Sequence, residues 1–189
     1  MKNIIYLFLL VFLNGYSQTL EQLKMETKTF YDAHYNMDFD GIATLYHPGY
    51  FEKITKEEIT AKLDEQFQND QTGIRFVFPT MNFSFGTIQE IEGKKYCVIS
   101  FKNTYRVNFI DKLSEAEIQK NIASFQSNSK VKSVKYEAKR NSFFIEENVI
   151  WVAVFHSSTL DKWKFIEQNS KFRSFDEVLA PQIQKQLGL

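Results

Sequence analysis

Apolar positions recur at helical spacing through the first third of the chain and then switch to alternation. Leu23, Thr27, Phe30, Tyr31 and His34 share one stripe, which predicts a helix from about Leu20 to Met37. A short second helix is expected next, capped by Asp38 or Asp40, with Ile42, Leu45 and Tyr46 inward and His47-Pro48-Gly49 ending it. Ile59, Leu63 and Phe67 recur at steps of four and predict a third helix from Lys56 to Gln68. The capping pattern S/T-x-x-E/Q occurs at Thr19, Thr55, Ser114 and Ser174, each ahead of an amphipathic run.

From Ile74 the period is two. Phe76 and Phe78 share one phase, and Met81, Phe83 and Phe85 share the other, so a bulge or bend is expected around Pro79. Lys94 to Ile110 reads as one long strand. Cys97, Ile99, Phe101, Tyr105, Val107 and Phe109 form its apolar face, and Asn103 is that face's one polar member. Ser114 to Phe125 reads as a helix between strands. Strands are predicted at Val131–Arg140, Phe143–His156 and Lys162–Gln168, then a terminal helix Phe175–Leu187 kinked at Pro181. Helices first and strands mostly later make the class α+β. The 19 Phe and 9 Tyr predict a thick aromatic core.

The N-terminus adds an address. Lys2 precedes an unbroken apolar run, Ile4 to Leu13, and Gly15 and Ser17 are the small residues of a cleavage site. The run is too short to span a bilayer, which takes about 20 residues. Residues 1–17 are therefore expected to be a secretory signal. Residues 18–189 are expected to form one exported domain, periplasmic or extracellular, with no stable membrane span after cleavage.

Formal charge is zero with 23 residues of each sign, so no global field favours nucleic acid. The basic stretch Lys130–Arg140 is followed by Glu146 and Glu147, and cross-strand pairing on a solvated face accounts for it. The single cysteine, Cys97, sits in the apolar run Y-C-V-I-S-F and reads as a buried, inert thiol.

The order of parts, with D-F-D-G-I-A-T-L-Y-H-P after the first helix and D-K-W-K-F-I-E at Asp161–Glu167, resembles the SnoaL-like, or nuclear-transport-factor-two-like, superfamily. The resemblance covers about Thr19 to Asn169. It implies a cone-shaped α+β barrel, a curved antiparallel sheet wrapped around the long N-terminal helix, with a pocket at the wide end. The helix at Ser114–Phe125 and the helical extension 170–189 are additions to it. Steroid-isomerase-like members carry an Asp pair directly after the equivalent of Leu45-Tyr46-His47. Here Pro48 and Gly49 stand there, so the expected carboxylate base is missing.

Of the three histidines, His34 lies on the buried stripe of the first helix. It reads as a paired core histidine or as a ligand-orienting residue, together with Tyr31, Asn103, Tyr105, Trp151 or Trp163. His47 reads as a cap for the second helix's C-terminus, or as a general base at the pocket mouth. His156 is expected at an exposed strand end. The histidine spacing lacks the i, i+4 signature of a helical zinc site, and no phosphate-binding or nucleophile-elbow motif occurs. Neither a metal nor a cofactor is expected. The favoured function is non-catalytic: an exported domain that binds a small apolar ligand or a protein partner, with a homodimer through the sheet face as one form. The alternative is an isomerase, dehydratase or cyclase with His34 or His47 as base.

Overall fold

The computed structural model describes residues 2–156 and 162–189, with side chains from Thr19 onward. In chain order the elements are α1 (Lys2–Asn36), α2 (Phe39–Leu45), a 3-10 turn (Pro48–Glu52), α3 (Lys56–Phe67), β1 (Thr72–Phe76), β2 (Ser84–Phe85), β3 (Gln89–Ile91) and β4 (Lys94–Phe109). There follow α4 (Glu115–Gln126), β5 (Val131–Glu137), β6 (Ser142–Phe155), β7 (Trp163–Glu167), α5 (Phe175–Val178) and α6 (Pro181–Leu187). Asp161, which opens the D-K-W-K-F-I-E motif, lies outside the described residues.

The first helix starts earlier than its capping pattern suggests. Backbone helix runs unbroken from Lys2, so Thr19 is an interior residue and caps nothing. A single Gly15 costs only about 1 kcal/mol in a helix, too little to stop an otherwise helix-compatible run. The helix ends where Met37 takes a left-handed φ of 57°. There the N–H groups of Met37 and Asp38 donate back to the carbonyls of His34 and Ala33. Leu23, Thr27, Phe30, Tyr31 and His34 are all buried, as their stripe requires.

The other capping patterns do head helices. Thr55 and Glu58 form a reciprocal capping box on α3, and Ser114 and Glu117 form one on α4. The Ser174 N–H and hydroxyl donate to Glu177 at the head of α5. Thr55→Ala is expected to lower stability by about 1 kcal/mol, read from the midpoint of urea unfolding.

Among the described residues the strands make one seven-stranded antiparallel sheet, built on the long pair β4 and β6. One edge of β4 takes β3, β2 and β1 in succession. The free edge of β6 takes β5 and β7. The path β1-β4-β6-β5 does not close on itself, so the barrel closure implied by the resemblance is absent among these residues. Two further expectations are corrected. The Phe76–Phe78 run leaves the sheet at Phe76, and Phe78 is 48% exposed. The terminal helix is broken, not kinked: Ala180 has ψ 137°, the extended form a residue before proline prefers, and Pro181 starts α6.

Two apolar clusters share the inward face of β4 and β6. The larger holds α1, α2, α3, β7 and the C-terminal helices, with Phe30 stacked on Phe165 at 4.6 Å and edge-on to Trp151 at 4.7 Å. The smaller holds Val107, Phe143 and Ile145 under Ile118 of α4. The site lies between the two.

Candidate functional site

A cavity of about 360 Å³ opens between these clusters. Its walls include Phe67 of α3, Phe76 of β1, Phe101 of β4, Trp151 of β6 and Phe172 of the C-terminal segment. Its polar groups include His34, Tyr46, Asn103, Tyr105, Glu147 and Glu167, with Gln66, Asn128, Asn169, Ser170 and Lys171 also on the lining. Of the residues nominated from sequence, His34, Asn103, Tyr105 and Trp151 meet here.

Tyr31 and Trp163 do not line the cavity. The Tyr31 hydroxyl donates to the Phe78 carbonyl at 2.8 Å, and its ring packs among Phe76, Phe83 and Phe101. Trp163 is fully buried against Phe155, and its backbone N–H donates to Glu26.

His34 is held at both nitrogens. Nδ1 lies 2.8 Å from the Phe30 carbonyl, which only accepts, so Nδ1 carries hydrogen. Nε2 lies 3.0 Å from Glu167 Oε1, within hydrogen-bond reach of the carboxylate. The Tyr46 hydroxyl donates to the other Glu167 oxygen at 2.8 Å, and the Glu167 N–H donates to the Tyr50 hydroxyl at 3.0 Å. Burial, reinforced by Glu167, drives the Tyr46 pKa well above its ordinary value. Three elements are thereby tied to the end of β7: α1 through His34, the α2 terminus through Tyr46, and the 3-10 turn through Tyr50.

His47 turns out to cap the start of a helix and not the end of one. Its Nδ1 accepts the Gly49 N–H at 3.1 Å, at the head of the 3-10 turn. It is absent from the cavity lining, as are Pro48 and Gly49. Burial, aided by the Lys94 charge and opposed by Glu52, lowers the His47 pKa to about 4.

A neutral ring is required there, because a protonated Nδ1 cannot accept. The unfolded chain therefore binds a proton that the folded chain refuses between the ordinary histidine pKa and about 4. Stability is expected to fall by about 2–3 kcal/mol as pH drops through that window. His47→Asn keeps the acceptor without the titration and should flatten this part of the stability–pH curve.

Glu147 and Glu167 escaped the sequence reading. Glu146 does sit on the solvated face, 2.8 Å from Lys102. Its neighbour Glu147 is turned to the cavity by the strand's period of two. The signal was legible: Phe143, Ile145, Glu147, Val149 and Trp151 are one phase of β6, and Trp163, Phe165 and Glu167 are one phase of β7. Burial raises the Glu147 pKa, Lys130 and Tyr105 pull it back, and Glu167 pushes it further up.

His156 is half-buried just past β6, not exposed. Cys97 is fully buried, and its thiol, 3.3 Å from the Gly86 carbonyl, is pushed by burial up to about 11. Among the described residues no cluster of three or more His, Cys, Asp or Glu side chains is placed to hold a metal ion. No helix among them is long and apolar enough to cross a membrane. Compared with known families and curated proteins, the chain matches no family model and no curated sequence.

Proposed function

We propose that this chain is an exported domain that binds a small, mostly apolar molecule in the cavity between α1 and the sheet, without turning it over. The carrying observation is the cavity itself: aromatic walls, a few convergent polar groups, and a volume of about 360 Å³. That combination is the usual form of a small-molecule site. Both nitrogens of His34 are engaged, and His47 is a cap outside the cavity, so no histidine is free there to act as general base. This favours binding over an isomerase, dehydratase or cyclase.

We read the architecture as an open variant of the SnoaL-like cone. Support comes from the order of elements and from the cavity's place beside the N-terminal helix. The export reading rests on the apolar run Ile4–Leu13 and the small residues after it.

The test is native mass spectrometry of the protein purified gently from its own compartment. A reproducible extra mass, lost on denaturation, is the expected result, with Gln18 as the first residue of the chain. A bare protein mass, together with failure to bind any apolar probe, would overturn the binding reading.

A further inference from the structure

Asn103 and Glu147, which face each other in the cavity, have hydrogen-bonding capacity left over. Asn103 is 3% exposed and lines the cavity. Its Oδ1 accepts the Thr104 N–H at 2.9 Å, which fixes the orientation of the carboxamide. Its NH2 group has no partner among the described residues. That donor sits in the cavity wall with no protein acceptor, so it is available to a ligand oxygen. Directly across the β4–β6 ladder from Asn103 is Glu147, on the same lining. Cross-strand partners hold their Cβ atoms about 5 Å apart, so one ligand oxygen can reach both side chains.

We infer that the ligand carries a neutral hydroxyl on an apolar body, its oxygen accepting from Asn103 and its hydrogen donated to Glu147. This rests on the binding reading above. The competing head groups each fail at one partner. An anion satisfies Asn103 but meets two carboxylates, Glu147 and Glu167. Lys171 also reaches the lining, but it is exposed and its charge is screened. A cation satisfies Glu147 and leaves the Asn103 donor unpaired. An ether or ketone satisfies Asn103 and leaves Glu147 with only the Tyr105 hydroxyl donated to it and its remaining acceptor sites unmet. Burial already disfavours the charged form of that carboxylate, so a ligand that donates to it gains more than one that only covers it. The apolar body meets Phe76, Phe101 and Trp151.

The probes are thymol, its methyl ether, cymene and cuminate, titrated into the purified protein by calorimetry. They share the p-cymene carbon skeleton and differ in the polar group: a ring hydroxyl, a ring methoxy, none, and a carboxylate in place of the ring methyl. Thymol should bind tightest, about tenfold or more above the methyl ether and cymene, with cuminate weaker than thymol. Asn103→Leu should erase thymol's advantage and leave cymene binding intact. Glu147→Gln should raise the affinity for cuminate.

If thymol and its methyl ether bind the natural protein equally, the hydroxyl inference is overturned and the binding reading stands. If none of the four binds saturably, this inference is overturned, and with a bare native mass as well the binding reading falls too. The unmutated series decides even if Asn103→Leu does not fold.

Discussion

Glu167→Ala is expected to lower the unfolding free energy by about 3–5 kcal/mol, measured by urea denaturation near neutral pH. The side chain is half-buried, yet it accepts from Tyr46 and holds the second nitrogen of His34. Both partners are buried, His34 at 5% exposure and Tyr46 at 1%. Alanine leaves each with an unmet hydrogen bond in an apolar setting, and an unmade bond costs more than a made one contributes. Glu167→Gln is the informative contrast. Its carbonyl can still accept from Tyr46, and its NH2 can donate to a neutral Nε2 of His34. All bonds then survive, and the loss should be under about 1 kcal/mol. An equal loss in both variants would show that the carboxylate's charge is what the site requires.

Arg173→Ala should cost about 2–4 kcal/mol and open one wall of the cavity. Arg173 is 8% exposed, and its guanidinium fastens the C-terminal segment to the 3-10 turn. It donates to the buried Gly49 carbonyl, to Glu52 at 2.8 Å and to the Glu177 carbonyl at 3.4 Å. The segment just before it, Asn169 to Phe172, lines the cavity. Behind it Leu179, Ile183 and Leu187 are buried in the main core. Without the arginine the Gly49 carbonyl is orphaned and the arginine stem's packing is lost. Amide hydrogen exchange between residues 169 and 187 should accelerate more than in β4 or β6. Exchange that rises uniformly across the molecule would argue against a local fastening.

The candidate site was partly legible, and particular residues show why. Asn103 stood out as the polar interruption of an apolar face, and His34 as an imidazole on a buried stripe; both line the cavity. Glu147 reads from sequence as a surface partner of the basic stretch before it, because nothing local reveals the cavity it faces. Tyr46 reads from sequence only as an inward residue of a short helix, because its hydroxyl partner lies 121 positions away. His47 reads from sequence as a C-terminal cap, because the 3-10 turn whose start it caps carries no periodic signal of its own. Nothing in local sequence nominated Arg173, whose partners at Gly49 and Glu52 come from the other end of the chain.

By itself the sequence determined the α+β class, the approximate positions of the helices and long strands, two true capping boxes and the inward phases of β4, β6 and β7. These depend on periodicity and on contacts within a few residues, which a one-dimensional reading captures. Tertiary structure alone decided that the sheet stays open among the described residues, that α1 and α4 pack on one face with a cavity between them, and that His34 Nε2 meets Glu167. Those outcomes depend on pairs separated by most of the chain. Their energies exist only once packing has excluded water and brought the partners within hydrogen-bond reach.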